Sequence, residues 1–303
     1  MRDRLIVIHF GAHRTGTTYL QAVFSNNAEL LAERGIQYRC LFDVPSVRKA
    51  IIASRRAATR GDEAEFERHF AVVENYLRTL LKDHPTDDLL ISYEGILGGL
   101  AAAEDNKFYP HHQRCLTQFL RIFAGERVHG VFAIREYGSF IESSYKKLVE
   151  SGHKPKLECT SAGNVSDDVS WLPIVRALKS AFGSQFSLFS YEDFAKCERR
   201  CLKWLLQRTF NLDVDLLELI EKPLNPSPSR PALRAMLLVN RMLPRSARPL
   251  RQRINRRLSS WFPADKYGHP KLLGADVKRA LKERYAIDLQ TLRQELPNMY
   301  GPV

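Results

Sequence analysis

The chain has 303 residues, 44% of them hydrophobic and 26% charged, so it can bury a sizeable core without staples. Lysine plus arginine (46) exceed aspartate plus glutamate (34) by 12, and an anionic substrate, partner or surface is expected. Five cysteines, Cys40, Cys115, Cys159, Cys197 and Cys201, form no C-x-x-C pair, which argues against a disulfide framework or structural zinc and for a reduced, cytoplasmic compartment.

The first apolar run, Leu5–Phe10, is too short for a signal segment or a membrane span and reads as a strand. It leads straight into Gly11-Ala12-His13-Arg14-Thr15-Gly16-Thr17-Thr18, and a helix begins at Tyr19. Two glycines five apart, between a strand and a helix, leave backbone N–H groups free to meet one anion. The helix N-terminus adds its own positive partial charge. The spacing is that of the phosphate loop G-x-x-x-x-G-K-[ST], except that Thr17 stands at the lysine position and Arg14 supplies the cation. One arginine and two hydroxyls suit a group less highly charged than a triphosphate with its magnesium.

Further strands are expected at Ile36–Arg39, Asp88–Tyr93, Val128–Ile134 and Phe186–Tyr191. Between them, Asp62–Leu81 carries Phe66, Phe70, Val73, Leu77 and Leu80 at helical spacing. Strands apolar on both faces and separated by helices imply an α/β fold with a mostly parallel sheet covered on both sides. Glu94 lies just beyond the third strand, at the carboxyl edge where such sheets bind ligands. No metal-binding aspartate ends that strand. Arg135 leaves the fourth strand, and Ser143 follows eight residues later on the helix Ser139–Glu150. An arginine fork suits a phosphate because it meets two oxygens at once.

Other features are weaker. His13, inside the loop, is a second candidate base. His9 reads as a satisfied core histidine, and the adjacent His111 and His112 diverge too far on a helix to share a metal. Cys197 and Cys201, four apart, suggest one buried helical face. The polar stretch Ser151–Ser170 reads as a lid or acceptor wall, with Lys146, Lys147 and Lys154 beside it. Asn225–Pro231 reads as a linker, leading to helices Ala232–Leu243 and Leu250–Trp261. No acidic residue lies between Pro223 and Ala264, whereas nine arginines do. Leu250, Ile254, Leu258 and Trp261 suggest one apolar face on the second of these helices. Residues 230–261 can lie on an anionic membrane, cover a phosphate-bearing substrate, or pack with a solvated basic face.

The run G-x-x-R-T-G-T-T-x-L after a strand resembles the 5′-phosphosulfate loop of the sulfotransferases that use 3′-phosphoadenosine 5′-phosphosulfate (PAPS). Arg135 with Ser143 is similar to that family's 3′-phosphate site, and Arg135–Tyr145 resembles bacterial, carbohydrate-type members in particular, with Tyr137 where a proline often stands. Glu33–Tyr38, Ser190–Asp193 and Cys201–Leu212 are fainter echoes, so the resemblance spans Arg4–Leu212. It implies a single domain, 1–303, with a P-loop-type α/β core at 1–222 and a helical, arginine-rich extension at 223–303. It implies sulfuryl transfer from PAPS to an acceptor hydroxyl on a carbohydrate or glycolipid, by in-line displacement and without a metal. Gly11, Ala12, His13, Arg14, Thr15, Gly16, Thr17, Thr18, Arg135 and Ser143 would bind PAPS. Arg14 would stabilise the leaving group, and Glu94, or else His13, would act as the base. The alternatives are a P-loop kinase or NTPase, which the missing lysine disfavours, and a non-enzymatic nucleic-acid-binding protein. The second lacks aromatic-rich sheet and helix-turn-helix cues, and no nucleic-acid partner is expected.

Overall fold

The computed structural model describes residues 4–99, 108–155, 169–220 and 227–301. Five strands, β1 (Leu5–His9), β2 (Ile36–Cys40), β3 (Asp88–Ser92), β4 (Arg127–Ile134) and β5 (Phe186–Ser190), form one sheet in the order β2-β3-β1-β4-β5. All four pairings are parallel. Each strand falls within one residue, at either end, of the span its apolar run predicts. The pattern succeeds because β1, β3 and β5 are buried along their whole length, so nothing interrupts the apolar signal.

The described residues form thirteen α-helices, nine of which flank the sheet. On one face lie α1 (Thr17–Asn26), α2 (Ala28–Glu33), α8 (Tyr191–Lys196) and α9 (Glu198–Phe210), packing against Leu5, Val7, Leu90 and Val131. The other face takes α3 (Pro45–Arg60), α4 (Glu63–Asp83), α5 (His112–Arg121), α6 (Tyr137–Glu150) and α7 (Leu172–Phe182), around Ile6, Ile8, Ile91 and Phe132. Asp62 caps α4 by accepting from the Glu65 N–H at 3.0 Å, which fixes where the longest predicted helix starts. Cys197 does not share a buried face with Cys201. It is exposed at the N-cap of α9, while Cys201 is buried, because a break in the helix at Cys197 ends the periodicity that would align them.

The C-terminal part comprises α10 (Arg230–Met242), α11 (Arg248–Trp261), α12 (Ala264–Tyr267) and α13 (Ala275–Glu295). The helical extension expected at 223–303 is not set apart from the sheet. Leu273, Val277, Leu281, Tyr285, Leu292 and Leu296 join the main core, and the chain then runs beside β5. There Leu188 N–H donates to Met299 O at 2.8 Å and Gly301 N–H donates to Leu188 O at 2.7 Å. The expected linker lies only partly within the described residues, and Ser229 in it caps α10.

Helices α10 and α11 pack on α6 through Tyr145, Val149, Leu233, Met236 and Leu258. Their polar residues satisfy the carbonyls that a helix C-terminus leaves without partners. Asn240 Nδ2 donates to Val149 O (2.7 Å) and His153 O (3.0 Å), and Asn255 Nδ2 donates to Val149 O (2.9 Å). Arg248 Nε reaches Ser151 O at 3.1 Å, and Arg251 Nη1 reaches Gly152 O at 2.7 Å. Arg251 is 2% exposed, so the basic segment is not basic only on a solvated face. The four apolar residues of α11 lie along one face, but only one edge of it is covered: Leu258 is buried and Ile254 half-buried, while Leu250 and Trp261 are exposed.

Candidate active site

The carboxyl ends of β3, β1 and β4, adjacent in the sheet, deliver Glu94, the glycine-rich loop and Arg135 to one edge. Beyond β1 the chain stays tied to β4, because Phe10 N–H donates to Val131 O (2.9 Å) and Ala12 N–H donates to Ala133 O (3.1 Å). The loop then turns through three left-handed residues, Gly11 (φ 49°), Arg14 (φ 66°) and Gly16 (φ 83°). Only glycine occupies that region without penalty, so Arg14 is held there by its contacts. A Cβ at Gly16 would lie 2.8 Å from the Phe194 ring. Thr15 is fully buried and its hydroxyl donates to Ala12 O at 2.5 Å, which closes the loop from within. Thr17 is also buried, whereas Thr18 is exposed. Gly16 caps α1 with no side-chain bond, and the amides of Gly16, Thr17 and Thr18 donate to no acceptor among the described residues. These amides form an anion cradle.

The two clusters named from the sequence meet. Arg14 Nε donates to Ser143 Oγ at 2.9 Å, and Arg135 Nη1 donates to Arg14 O at 2.6 Å. Arg135 Nε also donates to Ser139 Oγ at 2.9 Å, and its guanidinium lies 4.3 Å from the centre of the Tyr191 ring. The Trp171 indole N–H donates to Arg135 O at 2.7 Å. Neither Arg14 nor Arg135 makes an ion pair among the described residues. Burial lowers the Arg135 pKa, with Arg14 acting in the same direction. Lys146 is likewise lowered by burial, with Arg135 and Arg14 contributing. Three cations share a half-buried space, where Glu192 and Glu136 act against the shift of Arg135 and Glu142 against that of Lys146. Such a donor set fits a phosphorylated or sulfated ligand.

Glu94 occupies the turn after β3. Burial pushes its pKa up to about 7, opposed by the charges of Arg14 and Lys147. That turn is held from α3, where Arg55 Nη1 donates to Gly95 O (3.1 Å) and to Gly98 O. His13 has a different setting. Its backbone N–H donates to the Tyr109 hydroxyl at 2.9 Å, and its ring Nδ1 lies 2.8 Å from the same oxygen. Burial, then the charges of Arg55 and Arg14, bring its pKa down to about 3. A carboxylate titrating near neutrality accepts a proton far better than such an imidazole. His9 is buried with Nδ1 paired to Ser92 Oγ at 2.9 Å, though its Nε2 has no partner, so it is only half satisfied.

Several site residues carry no signal in the sequence. Arg55 occupies a slot on α3 flanked by buried Ile51, Ser54 and Ala58, so a charge on an apolar stripe was the available clue. Tyr109 and Trp171 sit in loops, and only the folded chain brings them to the site. The trio Tyr191-Glu192-Asp193 acts mainly as a strand end and helix cap: Ser190 Oγ accepts from Asp193 N–H at 3.0 Å. Glu192 also accepts from Glu136 N–H (3.0 Å) and from the Tyr285 hydroxyl (2.9 Å). Most of the expected lid, 156–168, lies outside the described residues. Among the described residues, no group of three or more His, Cys, Asp or Glu side chains could hold a metal ion.

No family model and no curated protein matches the chain. Among solved structures, a sulfotransferase from Alicyclobacillus acidocaldarius is similar at 12% identity and a TM-score of 0.40, over 84% of this chain and 95% of that one. The sulfotransferase domain from the curacin biosynthetic pathway is similar at 15% identity and a TM-score of 0.39, over 94% of this chain and 98% of that one.

Proposed function

We propose that the chain is a PAPS-dependent sulfotransferase that moves a sulfuryl group to an acceptor hydroxyl on a carbohydrate or glycolipid. One observation carries this reading. Arg14, Arg135 and Ser143, which the sequence separates by up to 129 positions, form one hydrogen-bonded cluster beside an uncapped helix N-terminus.

When bound, PAPS supplies an activated sulfuryl group joined to a 5′-phosphate that leaves as an anion. The amides of Gly16, Thr17 and Thr18 and the Arg14 guanidinium stabilise negative charge at the 5′ end. The Arg14 guanidinium stabilises the leaving oxygen as a charge-assisted hydrogen-bond donor. Arg135 and Ser143 hold the 3′-phosphate, with Tyr191 and Ser139 fixing the arginine fork. Glu94 accepts the proton of the acceptor hydroxyl as that oxygen attacks in line. The sulfuryl end carries a single negative charge, which these groups can meet without a divalent cation.

Thermal-shift measurements with 3′,5′-ADP, ATP plus magnesium, and a DNA oligonucleotide test the reading. Stabilisation by 3′,5′-ADP alone, independent of magnesium, is expected, amounting to about 2.7 kcal/mol at a hundredfold excess over Kd. Equal stabilisation by ATP plus magnesium would replace it with a P-loop phosphotransferase. The glycan or glycolipid acceptor follows from the likeness of Arg135–Tyr145 to bacterial sulfotransferases. A screen of labelled sulfate transfer across glycan, glycolipid and phenol acceptors tests it.

A further inference from the structure

We propose that α10 and α11 form a docking surface for a bilayer containing anionic lipids. Four large apolar side chains on this one pair of helices face solvent: Leu238 (58% exposed), Met242 (75%), Leu250 (49%) and Trp261 (65%). Scattered exposed hydrophobics are ordinary, but a concentration of this kind marks an interaction site.

The charge around them is of one sign. Arg230, Arg234, Arg241, Arg253, Arg256 and Arg257 make no ion pair among the described residues, and no acidic residue lies between Pro223 and Ala264. At about 100° per residue, Leu250, Arg257 and Trp261 fall within roughly 40° of one another on α11. Leu238 and Met242 are one turn apart on α10. An arginine beside a tryptophan on one helical face suits the boundary between headgroups and acyl chains, where the cation reaches outward and the ring sinks in. Lys154, Arg234 and Arg241 also surround a groove of about 510 Å³ whose floor includes Tyr145, Leu237 and Leu238. Cations over an apolar floor match a phosphodiester headgroup with the start of its chains.

A merely solvated basic face would account for the arginines but not for the exposed Trp261 and Met242. A soluble phosphate-bearing substrate would account for the groove but not for Leu250 and Trp261 on the neighbouring helix. The opposite side of the pair is anchored on α6 by Asn240, Arg251 and Asn255, so the surface is preformed. No helix among the described residues is long and apolar enough to cross a membrane, so the contact proposed is peripheral.

The test uses the full chain with vesicles of phosphatidylcholine alone or with 30% phosphatidylglycerol. Flotation should recover protein only with the anionic vesicles, and recovery should fall steeply with added salt. Bromine-labelled acyl chains should quench Trp261 emission and leave the fully buried Trp171 untouched. The quenching should vanish in Trp261→Phe. The double variant Arg253→Glu/Arg257→Glu should bind at least about tenfold more weakly, with an unchanged melting temperature that shows the fold intact. Absence of flotation with anionic vesicles would overturn the proposal. So would binding without Trp261 quenching, or a charge-reversed variant that binds as well as the parent. Equally tight binding of a DNA oligonucleotide with no change at Trp261 would assign the surface to nucleic acid instead.

Discussion

Arg135 donates a hydrogen bond from Nη1 to the carbonyl of Arg14 at 2.6 Å, so one cation of the site holds the backbone that presents the other. Arg14 sits at φ 66°, a conformation costing an L-residue about 1–2 kcal/mol, and this bond offsets the cost. On the proposed function Arg135 therefore has two tasks, contact with the 3′-phosphate and support of the loop.

Substitution should separate them. Arg135→Lys keeps the charge but loses the fork, and the affinity for 3′,5′-ADP should fall about tenfold. Arg135→Ala should lower it about 30- to 100-fold, consistent with a charge-assisted hydrogen bond of about 2–3 kcal/mol. Isothermal titration with 3′,5′-ADP measures both. Affinities within twofold of the parent would remove Arg135 from the site.

Glu94 predicts a pH profile. Its pKa of about 7 means that only the ionised fraction can take a proton, so kcat should rise with pH through about 7 and then level off. Glu94→Gln should lose at least about a hundredfold in kcat and flatten that limb. Less than tenfold loss with an intact fold would rule out Glu94 as the base. Stability should move the opposite way. Between about 4.5 and 7 the folded chain holds this proton more tightly than the unfolded chain does. The stabilising contribution is complete below about 4.5 and is lost as pH rises through 7. At pH 8, Glu94→Gln should therefore melt at a higher temperature than the parent while being the poorer enzyme.

Strands β1, β3 and β5 were legible in the sequence because their residues are buried on both faces, and the loop was legible because its glycines must stand where the backbone turns left-handed. Glu94 and Arg135 could be placed because each follows a readable strand directly. The burial of Arg251 leaves no mark in the sequence, because charge pattern alone does not distinguish an arginine facing solvent from one pointing at the end of another helix. The return of Leu273–Leu296 to the core was also missed. Its apolar residues are spaced widely enough on a polar helix to look peripheral until the sheet supplies their partners. Arg55 and Tyr109 act through carbonyls and ring atoms distant in sequence, and such contacts leave no periodic trace.

Gly16→Ala tests the cradle. The substitution puts a Cβ 2.8 Å from the Phe194 ring at a residue with φ 83°, so steric and backbone strain add. A destabilisation of about 2–3 kcal/mol is expected by thermal melting, together with loss of the 3′,5′-ADP shift. Phe194→Leu in the same background should relieve the contact but not the backbone strain, and should restore only part of the stability. Full restoration would mean that the left-handed turn at Gly16 is not needed.

The capping of α6 yields a prediction that links stability to binding. Arg251→Met keeps most of the side-chain volume but leaves the carbonyls of Gly152 and Leu243 without their charged donor in a buried setting. An unpaired buried carbonyl costs about 1–3 kcal/mol, so in a chain of this length the melting temperature should fall by roughly 2–5 °C. Ser139 and Ser143 ride on this helix, three and two turns before its end. If the end frays, their hydroxyls lose a fixed position against Arg135 and Arg14, and the affinity for 3′,5′-ADP should drop by about three- to tenfold although Arg251 touches no ligand. Asn240→Ala removes donors to the same helix end and should act in the same direction. Normal nucleotide affinity in both variants, despite the lower melting temperatures, would show that the C-terminal helices stabilise the fold without tuning the site.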